Sequence, residues 1–152
     1  MYDKSIETLK KHLALPSAKW KDERCASMRY IAKCYINKGN YKQAELWYET
    51  AIKEAPYLRE PYIEYAQLEY ELQNWNKVAE LIENALKIKE RPMTYISESY
   101  CWGYFPYDML AIAYFNLNNY SLSLKNAVSA YLLEPESERL KDNMKKIKEF
   151  VN

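Results

Sequence analysis

The sequence predicts an all-α fold: an α-solenoid of three helix pairs with an N-terminal helix before them and a C-terminal capping helix after. Three observations carry this: an internal repeat, helical spacing of apolar residues within each copy, and few glycines beside many large aromatics. Sliding the chain against itself by 34 residues sets Ala32 on Ala66, Tyr41 on Trp75 and Ala51 on Ala85. A shift of 79 sets Ile31 on Leu110, Ala32 on Ala111, Tyr35 on Tyr114, Tyr41 on Tyr120, Ala51 on Ala130 and Pro56 on Pro135. Seventy-nine exceeds two periods of 34 by 11, so 11 extra residues separate the second and third copies. A period of this length marks supersecondary units that stack on one another. The 152 residues include 2 Gly, 16 Tyr and 4 Trp. Large aromatics fill the space between helices without a sheet.

Each element follows from its residues. Ile6, Leu9 and Leu13 form a stripe on a first helix that Leu15-Pro16 ends. Ser17 is then placed to N-cap a long helix running to Lys38. Met28, Ile31, Ala32 and Tyr35 fall at i, i+3, i+4 and i+7 on it, one face of a helix. Gly39 supplies a left-handed cap at low steric cost. The next helix carries Ala44, Tyr48, Ala51 and Ile52, and Pro56 ends it. The second unit reads Tyr62, Tyr65, Ala66, Trp75, Val78, Ile82 and Ala85; the third reads Tyr107, Leu110, Ala111, Tyr114, Tyr120, Ser123, Ala127, Ala130 and Pro135. Pro106 fits position one of the third unit's first helix. Leu140, Met144 and Ile147 make the stripe of a last helix, with Glu136 and Glu138 near its start and Lys145, Lys146 and Lys148 near its end, matching the helix dipole. A polar-backed helix of this kind caps a stack. The units lie at about 25–58, 59–92 and 104–137, the insertion at 93–103 and the cap at 137–151, within one domain spanning 1–152.

Composition excludes several classes of function. Lys+Arg number 22 and Asp+Glu 21, so no basic footprint for nucleic acid is present. The longest apolar stretch, Met109 to Phe115, is far too short to span a membrane. The opening Met-Tyr-Asp-Lys-Ser shows no secretory signal, and Cys25, Cys34 and Cys101 have no Cys-x-x-Cys spacing. Free buried thiols and a cytoplasmic setting are expected. His12 is the only histidine, so no metal site and no cofactor are expected. Glu60 and Glu64 are i, i+4 neighbours on one helix and do not face each other across a cleft, so no acid–base pair arises and the chain is not expected to be an enzyme.

The pattern resembles the tetratricopeptide repeat. Unit one matches it with Met28, Ile31, Ala32, Tyr35, Gly39, Tyr41, Ala44, Tyr48, Ala51 and Pro56; unit two departs at Glu69, where the pattern has tyrosine, and at Glu90, where it has proline. The resemblance implies a protein- or peptide-binding module whose groove is lined by the first helix of each pair. That places Arg29, Tyr30, Lys33 and Asn37 from unit one, Glu60, Glu64, Gln67 and Tyr70 from unit two, and Phe105, Asp108, Ile112 and Phe115 from unit three in the groove. Arg29 and Lys33 are expected to form a positive spot, and Glu60, Glu64 and Asp108 a negative one further along. A C-terminal carboxylate clamp known in the family is incomplete, with Phe105 and Met109 where cations are needed.

The insertion is aromatic from Tyr100 to Tyr107. Two readings are open: filling the seam, or a platform that stacks on a ligand. Ala85-Leu86-x-Ile88-Lys89-Glu90-Arg91-Pro92 and Trp102-Gly103-x-x-Pro106-Tyr107-Asp108 resemble tetratricopeptide segments that follow the catalytic domain of family-2 glycosyltransferases. This resemblance implies an accessory, scaffolding role beside such a catalytic domain in the same parent chain. The alternative is a free-standing adaptor that binds an extended peptide.

Overall fold

The computed structural model describes all 152 residues, as eight α-helices and no strand. The helices are α1 (Tyr2–Ala14), α2 (Lys21–Asn37), α3 (Tyr41–Glu54), α4 (Glu60–Glu71), α5 (Trp75–Leu86), α6 (Phe105–Asn116), α7 (Tyr120–Leu133) and α8 (Glu138–Lys148). Three pairs, α2/α3, α4/α5 and α6/α7, stack in chain order. α1 packs before them and α8 after them. Helices touch mainly their chain neighbours, with α2 also reaching α4.

The same three-residue turn closes each pair. Asn40, Asn74 and Asn119 each donate their backbone N–H at 2.9 Å to a carbonyl five residues back, on Tyr35, Glu69 and Tyr114. The residue before each asparagine sits at positive φ: Gly39 at 74°, Gln73 at 58° and Asn118 at 60°. These three residues also donate their N–H groups to carbonyls three back, on Ile36, Tyr70 and Phe115, and the two hydrogen bonds together satisfy carbonyls that a helix end leaves free. Glycine alone of the three was legible as a cap. Gln73 and Asn118 take the same conformation with a Cβ in place.

The core forms where small and large residues alternate. Ala32, Ala44, Ala51, Ala66, Ala85, Ala111 and Ala130 are buried, letting paired helices approach. Tyr48 is wholly buried and stacks on Tyr65 at 5.7 Å between ring centres. Ile63, Val78, Ile82 and Leu110 complete the central cluster, and Tyr35, Trp47, Tyr62, Trp75 and Tyr114 flank it.

Two boundaries differ from expectation. α2 begins at Lys21, and Ser17 caps nothing. Leu15 to Lys19 instead form a tight turn (Ala18 N–H to Leu15 carbonyl, 3.1 Å; Lys19 N–H to Ser17 carbonyl, 2.9 Å). Arg24 holds that turn in place by donating to the carbonyls of Leu13 at 2.7 Å and Ala18 at 3.3 Å, so the helix starts only beyond it. Pro106 is the second residue of α6, still in the first turn where a missing N–H costs nothing. The insertion carries a single 3₁₀ turn, Ser99–Trp102.

Candidate functional site: a walled groove

Helices α2, α4, α6 and α8 line one face of the stack, and three adjoining cavities run along it. The first, about 510 Å³, lies between α2 and α4 and includes Lys33, Ile36, Glu64, Gln67 and Glu71. The second, about 340 Å³, shares Gln67 and Glu71 with it and adds Tyr70, Phe105, Asp108, Ile112 and Arg139. The third, about 250 Å³, shares Asp108 and Ile112 with the second. It is a slot bounded by Ala111, Phe115, Ala127, Leu140, Asn143, Lys146 and Ile147. Each shared pair joins one cavity to the next, so the groove is continuous from α2 to α8.

Its charges are paired rather than separated. Arg29 Nη2 donates to Glu64 Oε1 at 2.7 Å, and Lys33 Nζ lies 2.8 Å from the same oxygen. Arg29 also reaches Glu98 Oε1 of the insertion at 3.1 Å. Arg29 and Glu64 are 4 % and 3 % exposed, so this ion pair is inside the protein. Burial opposes the guanidinium charge, but the hydrogen bond and charge of Glu64 outweigh it and raise the Arg29 pKa above its ordinary value. Removing one partner of such a pair costs about 3–5 kcal/mol, because the other charge stays buried alone. The expected separation into a positive and a negative spot therefore does not exist. Opposite charges on facing helices meet, which one helix's spacing does not reveal. Asp108 is likewise engaged by Arg139 Nη2 at 2.8 Å.

Residues 97–102 form a strap at the edge of the groove that meets the middle of α2 at Arg29 and α4 at Glu60 and Gln67. Glu60, 1 % exposed, anchors it. Its Oε1 accepts from the Glu98 N–H at 2.9 Å, the Trp102 indole at 3.0 Å and the Ser97 hydroxyl at 3.4 Å. Arg59 donates to the carbonyls of Ile88 at 2.9 Å and Cys101 at 3.2 Å, and lies 4.3 Å from the centre of the Trp102 ring. Tyr100 donates to Gln67 Oε1 at 3.4 Å and packs edge-on against Phe105. Trp102 and buried Cys101 thus fill the seam, while Tyr95 stands 81 % exposed against Trp20. Arg29 Nε, Glu60 Oε2 and Glu64 Oε2 are buried with no protein hydrogen-bond partner.

The structure brings Lys33, Glu64, Gln67, Tyr70, Phe105, Asp108, Ile112 and Phe115 into the groove. Arg29 and Glu60 lie beneath its surface as supports. Tyr30 departs from expectation: it faces a separate hollow with Cys34 and α1, because its position on α2 is turned toward the preceding helix. Asn37 is exposed at the end of α2 and lines none of the three cavities. Sequence reasoning did not place Arg139, Asn143 and Lys146 at the site. Their i, i+4, i+7 spacing beside the Leu140 stripe was the available signal. Burial pushes the Cys25 thiol up to about 12, and Cys101 higher still, so neither is a thiolate nucleophile. No three His, Cys, Asp or Glu side chains converge where a cation could be held. No helix is long and apolar enough to cross a membrane.

No protein-family model and no curated protein matches the chain. Solved structures do. The N-terminal domain of stress-induced protein-1 from C. elegans superposes with a TM-score of 0.73 at 12% identity, over 86% of this chain and 98% of that one. The first tetratricopeptide (TPR) domain of Spaghetti (RPAP3), bound to the HSP90 peptide SRMEEVD, gives 0.68 at 17% identity, over 84% and 93%. MamA gives 0.73 at 14% identity, over 97% of this chain and 77% of that one. Repeat, paired helices and superposition agree: the chain has the fold of a tetratricopeptide solenoid.

Proposed function

We propose that the chain is a non-catalytic binding module, 1–152 acting as one unit, that holds an extended peptide segment of another protein in the groove of α2, α4, α6 and α8. The observation that carries this reading is the continuity of three cavities across four helices, a shape suited to a chain segment. Peptides occupy similar folds elsewhere: the RPAP3 domains are described with HSP90 and HSP70 peptides. A carboxylate clamp is not supported here, since Arg29 and Lys33 both pair with Glu64. The sequence resemblance suggests a second reading, an accessory module beside a family-2 glycosyltransferase catalytic domain in the same parent chain; none of the structures named above is of that kind. Three unpaired cysteines agree with a reducing, cytoplasmic setting.

Selection of a phage-displayed peptide library on the purified chain, followed by titration of the selected peptides, tests the reading. Gln67→Arg and Ile112→Arg should each weaken binding by about tenfold or more. Lys53→Glu, exposed on α3, should leave it unchanged. The reverse pattern would move the site to the outer helices.

A further inference from the structure

The three sections of the groove differ in what they leave free. Beside the α2–α4 section the strap, which touches Arg29 and Gln67 without lining that cavity, is held fast and is not a lid. Displacing it would strip three hydrogen bonds from Glu60, a carboxylate 1 % exposed, and leave that charge buried and unsatisfied. The cation of that section, Lys33, is bound to Glu64. In the middle section Asp108 and Arg139 pair with each other.

The α6–α8 slot is different. Its floor is apolar, from Ala111, Ala127, Leu140 and Ile147. At about 250 Å³ it is smaller than the roughly 300–1,000 Å³ of pockets that enclose a whole small ligand, and suits one bulky side chain. Phe115 on its wall already stacks edge-on with Tyr120 at 5.3 Å and Phe150 at 4.9 Å, so an entering aromatic ring extends an aromatic cluster. Lys146 lines the slot and pairs with no carboxylate. α8 carries five cationic side chains, Lys146 included, against two carboxylates, and Asp108, the one carboxylate lining the slot, is taken up by Arg139.

We infer that this slot is the anchor subsite of the groove: it takes one aromatic side chain from an acidic peptide segment, whose neighbouring carboxylate pairs with Lys146. The inference rests on the peptide-groove reading and adds where the peptide is gripped and by what chemistry. Apolar burial supplies the hold, and the excess positive charge of α8 selects acidic segments over basic ones and speeds their arrival.

The test uses the full chain and a fluorescein-labelled probe peptide, Gly-Ser-Trp-Glu-Asp-Glu-Gly, followed by fluorescence anisotropy. Saturable binding is expected. It should fall on the order of tenfold when the tryptophan of the probe is alanine or its acids are lysines. Ala127→Leu fills the slot from its floor and should cause a similar loss. Lys146→Glu should weaken binding and flatten its dependence on salt. If Ala127→Leu fails to fold, Asn143→Trp plugs the slot from its rim. No saturable binding overturns the inference, as does binding that ignores both the plugged slot and Lys146→Glu. If binding ignores those changes yet is lost in Gln67→Arg, the anchor subsite falls and the groove stands. If library-selected peptides also ignore Gln67→Arg and Ile112→Arg, the groove reading falls with it.

Discussion

Glu69 stands where the repeat pattern has a tyrosine, and the structure shows what replaces the ring. The carboxylate is 2 % exposed and accepts from Asn74 Nδ2 at 2.9 Å. Burial raises its pKa, a hydrogen bond shared with Glu45 raises it further, and Asn74 works the other way. The folded state therefore binds this proton more tightly than the unfolded state does. Its stabilising effect is fully present below the unfolded pKa and is lost as pH rises through the folded one. Glu69→Gln keeps the acceptor for Asn74 and removes the ionisation. Its melting temperature should exceed that of the parent by a few degrees near neutral pH, with the gain shrinking through the unfolded carboxyl range and vanishing by about pH 3, where the carboxyl is protonated in both states. Melts across that pH range check this; an equal gain at both ends would show that ionisation is not the cause. The departure from pattern was legible as a departure. Its consequence was not, because Glu45 comes from another helix and no spacing along one helix reports on it. The same limit hid the pairing of Arg29 with Glu64, 35 residues apart.

At the scale of elements, helix existence was legible because Ile31, Ala32 and Tyr35, or Leu110, Ala111 and Tyr114, repeat one stripe. Ends were less legible. Ser17 has the chemistry of a cap, yet Arg24 on the following helix ties the preceding turn down and delays the start to Lys21. The turns are the sharper case. Gly39, Gln73 and Asn118 do one job with three side chains. A Cβ at positive φ costs roughly 1–2 kcal/mol, less for asparagine, which tolerates that region. Gln73→Gly should thus raise stability by on the order of 1 kcal/mol, reduced somewhat by the greater freedom of glycine in the unfolded chain. Asn118→Gly should gain less. Urea midpoints of the two variants measure the difference; a loss for Gln73→Gly would mean that its side chain contributes more than its strained backbone costs.

For the whole molecule, stacking of neighbours is the governing feature. α8 covers Ala111 and Ala127 through Leu140, Met144 and Ile147. Ending the chain after Pro135 should lower the melting temperature, and dyes that fluoresce on apolar surface should light up, since a stack without its cap exposes a core face. Removing α1, where Ile6 is the one fully buried residue, should cost less. The stacking order was legible in the 34-residue period, whereas the route of the insertion was not. The strap also changes how such a stack comes apart. A plain one-dimensional stack frays from an end, one hairpin after another. Here Arg29 is tied to Glu98 and Glu60 to Trp102, contacts that span 69 and 42 residues. Those ties run from the first hairpin past the second to the threshold of the third, like a stitch through folded cloth. For the first hairpin to peel away alone, the ties of Arg29 to Glu64 and Glu98 must break along with the helix interface, so the seam that the insertion opened couples the opening of the first two hairpins.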